Sequence, residues 1–105
     1  MANQQALIYK LQLALKQKGY IISINTTQFY SGDRGRYIKG YILKRNYKIV
    51  YSSYSTIRII RYLVNLLNIV KTLNKQEIQS RRIDTIIEQR MEEIYKCQKQ
   101  LEERD

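Results

Sequence analysis

Residues 20–52, YIISINTTQFYSGDRGRYIKGYILKRNYKIVYS, decide the fold. Tyr20 to Tyr30 is rich in β-branched and aromatic residues and reads as a strand, with Tyr20, Ile22 and Ile24 on one face. Ser31, Gly32, Asp33, Arg34 and Gly35 follow, the residue types that tolerate positive φ, and Tyr37 to Arg45 returns as a second strand. Asn46 marks a short turn into a third strand, Tyr47 to Ser52, with Ile49 and Tyr51 on one side and Lys48 and Val50 on the other. The expectation is a three-stranded antiparallel meander. Asp33 is expected to serve the first turn by bonding nearby backbone.

Helices flank this sheet. From Asn3 to Lys18 the apolar residues Leu7, Ile8, Leu11, Ala14 and Leu15 recur at helical spacing, and Gly19 suits the C-cap. After the sheet, Ser55 or Thr56 is a natural N-cap, and the segment to Leu73 is apolar apart from the stripe Arg58, Arg61, Asn65, Asn68 and Thr72. A helix with so narrow a polar stripe is buried on two sides. Lys75 to Arg104 reads as one charged helix with i to i+4 pairs Glu77–Arg81 and Glu92–Lys96. Its residues Ile83, Ile87, Ile94, Cys97 and Leu101 fit a heptad seam that Arg90 breaks, which serves either packing on the same chain or docking in a homodimer. The fold class is α+β in the order α-β-β-β-α-α, with a basic domain over residues 1–73 and a charged helical segment over 74–105.

Composition narrows the function. The single cysteine, Cys97, cannot form an intrachain disulfide, and the lysines at 10, 16 and 18 exclude a signal peptide from the first helix, so a cytoplasmic protein is expected. The most apolar stretch, IRIIRYLVNLLNIV, is interrupted by Arg61, Asn65 and Asn68 and is too short to span a membrane. Residues 1–72 hold twelve Lys or Arg against Asp33 alone, a net +11, while residues 73–105 hold seven basic and eight acidic residues, a net −1. A field of that size and sign attracts polyanions.

Histidine is absent and the acids crowd into the last third of the chain, so the usual general bases, nucleophiles and metal clusters are missing. No enzyme activity, cofactor or metal is expected. The chemistry-bearing group is instead the run of Arg34, Arg36, Lys39, Lys44, Arg45 and Lys48, interleaved with Tyr30, Tyr37, Tyr41 and Tyr47. Arginine grips phosphate or guanine bidentately, and tyrosine stacks on bases or hydrogen-bonds to phosphate. Arg58 and Arg61 join the set at a helix N-terminus, where free N–H groups favour an anion. Tyr9, Tyr20, Tyr51 and Tyr62 share faces with apolar residues and are read as core. The expectation is a nucleic-acid-binding protein, DNA before RNA, of phage or mobile-element type. The alternative is a small inhibitor or adaptor, such as a phage anti-defence protein, docking on a protein partner.

SYST, Ser53 to Thr56, ends a strand and opens a helix, and it resembles the Thr-Phe-Asp-Thr junction of AP2-type domains and the arm-binding domains of integrases. That resemblance implies a three-stranded sheet laid in the DNA major groove, with Arg34, Arg36, Lys39, Tyr41 and Arg45 as readers. Ser52 stands where that family usually has glycine, and the family's tryptophans have no counterpart here. With the first helix included, the order is also similar to the double-stranded-RNA-binding domain, which implies contacts from Arg34, Arg36, Arg58 and Arg61.

Overall fold

The computed structural model describes residues 4–103, with side chains through Cys97. Its order is α1 (Gln4–Gln17), β1 (Ser23–Ser31), β2 (Arg36–Arg45), β3 (Lys48–Ser53), α2 (Thr56–Lys71), α3 (Lys75–Gln79) and α4 (Ile83–Glu103). The three strands form one antiparallel sheet in the order β1-β2-β3, so the α+β meander expected from residues 20–52 is what the chain builds.

Local chemistry sets the element ends. Gly19 takes φ +94°, and Tyr20 N–H donates to Leu15 C=O while Gly19 N–H donates to Lys16 C=O, the paired bonds of a Schellman cap. Leu15 and Tyr20 are both buried at that corner. Ser55 caps α2, its hydroxyl accepting from Arg58 N–H. Arg45 and Lys48 pair across a two-residue turn in which Asn46 and Tyr47 both have positive φ (53° and 66°), the hairpin turn whose twist matches the strands.

One face of the sheet carries the core. Ile24, Leu43 and Tyr51 lie side by side on it, as do Thr26, Tyr41 and Ser53. α2 covers this face, burying Ile59, Tyr62, Leu63, Leu66, Ile69 and Val70, and its Tyr62 stacks on Tyr51 at 4.5 Å with the rings 8° from parallel. α1 packs on one flank of α2 and α4 on the other. The opposite sheet face, with Phe29, Ile38, Ile42 and Lys44, is left without a helix. There Phe29 fills the space beside Gly40, where an added Cβ would stand 2.4 Å from the ring.

Several expectations need correction. The final segment is not one helix: Ser80 takes an extended conformation and its hydroxyl accepts from Arg82 N–H, so the backbone bonds to a side chain where it would otherwise have continued the helix. Asn74 and Glu77 cap the short α3 reciprocally, which ties up the carboxylate assigned to Arg81. Among the described residues neither Glu77–Arg81 nor Glu92–Lys96 is an ion pair. Ile83 and Ile87 are 3% and 4% exposed and belong, with Met91, to the same apolar cluster as Leu15 and Leu66, so this part of the seam is consumed within the chain and is not free to dock. Ile94 is half-buried against that cluster, Cys97 is exposed, and Leu101 lies outside the residues whose side chains are described. Arg90 reaches back to donate to Thr72 Oγ1 at 2.6 Å.

β3 also departs from simple alternation. Leu43 faces Tyr51 but Lys44 faces Ile49, which leaves Val50 as a bulge and sends Ile49 and Tyr51 to opposite faces. Tyr9, read as core, is 66% exposed.

Candidate nucleic-acid interface

β3 pairs with β2 only from Tyr41 to Arg45. Beyond that point Thr27–Ser31 and Arg36–Gly40 continue as a ribbon of two strands, five residue pairs and about 17 Å long, ending in the turn Gly32–Gly35. This arm leaves the helix layer behind. Tyr30 and Tyr37 sit opposite each other on it, 63% and 67% exposed, with ring centroids 5.3 Å apart in an edge-to-face arrangement.

The turn is built by Ser31 and glycine. Gly35 N–H donates to Ser31 C=O at 2.8 Å with Gly35 at φ +62°, and Arg34 N–H donates to Ser31 Oγ at 3.3 Å. Ser31 therefore does the work expected of Asp33, which accepts no hydrogen bond among the described residues. Arg34 and Arg36 are exposed at the tip. Lys39 is exposed on the same side as the tyrosine pair, because residues 37, 39, 41, 43 and 45 alternate onto one face of β2.

The same alternation breaks up the predicted set. Tyr41 is 8% exposed and points into the core, so it is a packing residue and not a reader. Arg45 is also removed. Its Nε bonds Asp84 Oδ1 at 2.5 Å, its Nη1 donates to Ile21 C=O at 2.8 Å, and its Cζ lies 4.0 Å from the Tyr20 ring centroid. Burial pushes the Tyr20 phenol up to about 12 against the opposing charge of Arg45, so the ring stays neutral beneath the guanidinium. Lys44 lies half-buried on the open face and Lys48 is exposed beside the Asn46 turn. Both are at the end of β2 far from the arm tip, about 30 Å along a ten-residue strand.

Arg58 and Arg61 are exposed near the start of α2, which begins just after Ser53 reaches Tyr41 at the base of the arm. The basic residues thus form two groups: Arg34, Arg36 and Lys39 on the arm with Arg58 near its root, and Lys44 with Lys48 at the opposite end. Arg61 lies toward Tyr95 of α4, whose phenol burial raises and the Arg61 charge lowers. Tyr30 and Tyr37 belong to the expected aromatic set; their cross-strand pairing on one exposed face is the feature the sequence reading did not foresee. The signal for it was period-two spacing in β2, which places Tyr37 beside Lys39 on one face.

No group of His, Cys, Asp and Glu among the described residues could hold a metal ion, and no helix among them is long and apolar enough to cross a membrane. No family model, curated protein or solved structure matches the chain.

Proposed function

We propose that the protein is a non-enzymatic nucleic-acid-binding protein that inserts its two-stranded arm into a groove of duplex DNA. The observation that carries this reading is the arm itself. It projects past β3, holds three basic side chains against one acid, and exposes a tyrosine pair that contributes nothing to the core. A two-stranded ribbon fits the major groove of B-form DNA, whereas the deep, narrow major groove of A-form RNA excludes it. Arg34 and Arg36 at the tip grip phosphate or guanine. Lys39, Tyr30 and Tyr37 lie along one side of the ribbon and meet the backbone, and Arg58 takes a phosphate at the arm's root.

Fluorescence anisotropy with duplex and single-stranded probes tests this. Four phosphates engaged by Arg34, Arg36, Lys39 and Arg58 give a slope of log affinity against log salt of about −4 on duplex DNA. Replacing Arg34 and Arg36 with glutamate removes about two units of that slope and leaves the melting temperature unchanged. Absence of binding at low salt, or tighter binding to single strands than to duplex, refutes the groove-inserted arm.

A further inference from the structure

The helix layer is wider than the sheet it covers. Packed helices stand about 8–10 Å apart and paired strands about 4.8 Å, so α1, α2 and α4 span about 16–20 Å between outer axes while three strands span about 10 Å. The excess opens a groove along each edge of the sheet. On the β1 side Gln12 Nε2 bridges the groove by donating to Ile22 C=O at 2.8 Å. On the β3 side a groove of about 440 Å³ runs between β3 and α4, bridged at one end by the Arg45–Asp84 ion pair and open along Glu88 and Glu92.

This second groove has three walls of different chemistry. One is the edge strand β3, whose outward N–H and C=O groups meet no other strand. The floor is aromatic, formed by Tyr51, Tyr62 and Tyr95. The third is α4, which presents Asp84, Glu88 and Glu92 one helical turn apart. Arg45 neutralises Asp84, Lys48 stands at the mouth and Arg61 lies near Tyr95, but among the described residues Glu88 and Glu92 have no ion-pair partner. In a chain of net charge +10 this gathers three of the nine acids, two of them without an ion-pair partner among the described residues, on one wall.

The spacing of those carboxylates selects the occupant. Residues four apart on a helix rise by about 6 Å, and alternate residues of a strand by about 6.6 Å, so the repeat of Glu88 and Glu92 on one wall matches the same-side repeat of a strand added on the other. A second copy of this chain is the poorer match, because its own β3 edge, KIVYSS, brings the single cation Lys48 to two unpaired glutamates. We propose that the groove takes an extended basic segment of a partner protein as a fourth strand on β3, with Lys or Arg at alternate positions facing Glu88 and Glu92. Main-chain bonds to the β3 edge hold the segment, and its cationic side chains lie over the tyrosine floor.

The probe is a labelled peptide of about six residues alternating lysine and valine, long enough to cover β3, titrated into the full chain and read by anisotropy. It is expected to bind, and the double variant Glu88→Gln, Glu92→Gln to weaken it by about tenfold, the loss of roughly 1.4 kcal/mol from two charge-assisted contacts. Methylating alternate amide nitrogens of the peptide is expected to abolish binding, and Arg34→Glu with Arg36→Glu to leave it unchanged. Both glutamates are exposed, so circular dichroism is expected to show the variants folded. The proposal is overturned by no binding, by equal binding of a peptide with its lysines in one block, or by insensitivity to the glutamate variants. A concentration-dependent dimer that the glutamate variants dissolve also overturns it, in favour of a second copy.

Discussion

Gly40 is a residue whose side chain would have no room. A Cβ there meets Phe29 at 2.4 Å and the Ser53 carbonyl oxygen at 3.0 Å. Gly40→Ala is expected to lose about 1–3 kcal/mol of stability in urea titrations, the usual cost of overpacking. Adding Phe29→Ala relieves the ring clash, so the pair is expected to be non-additive. Two tyrosines set a pH limit in the same way. Burial raises the phenols of Tyr20 and Tyr62 above the ordinary value of 10.0, so the folded chain holds these protons more tightly than the unfolded chain does. The stability they provide is complete below pH 10.0 and declines as pH climbs toward the folded value, about 12 for Tyr20. At roughly 1.4 kcal/mol per unit, Tyr20 alone withdraws about 2–3 kcal/mol across that window, which unfolding curves at about pH 9 and pH 11 will register.

At the scale of elements, turn chemistry and caps were legible because a few residues determine each: Gly19, Ser55, Gly35 and Asn46 all stand where their types require. The places that misled were those decided by a neighbour. The Val50 bulge leaves no mark in KIVYSS, since shifting the register by one residue preserves the alternation and changes only which face it meets. The break at Ser80 has no Gly or Pro to announce it. Tyr47 is a case where local preference is violated outright: an aromatic residue at φ 66°, wholly exposed, in a turn that favours Asn-Gly. Tyr47→Gly is expected to raise stability by about 0.5–1 kcal/mol in thermal melts, since glycine avoids the left-handed penalty but gives back some chain entropy.

Across the whole molecule, the candidate interface was legible as a stretch of chain and not as a surface. Charge density identified residues 30–48, but pairing partners decided their exposure. Tyr41 and Arg45 are drawn inward by α2 and Asp84, while Arg34, Arg36 and Lys39 are left on the arm because β3 is too short to reach them. The C-terminal seam shows the same dependence. Ile83 and Ile87 close the core of this chain, so Ile87→Ala is expected to cost about 2–5 kcal/mol of folding stability, with a melting temperature that does not vary with protein concentration.

The brevity of β3 also gives the molecule two levels of stability. A two-stranded ribbon is marginal without a third strand or a covering helix, so the amides of residues 27–40 exchange with solvent through local opening while those of α2 and the core of β2 wait for global unfolding. Trypsin should therefore nick first after Arg34, Arg36 or Lys39, and since these positions lie outside the buried cluster, the cut product keeps its core. Because no Lys or Arg lies between Lys18 and Arg34, the first cut divides the chain into two long fragments that the shared core still holds together, and whatever activity disappears with that cut depends on an unbroken arm.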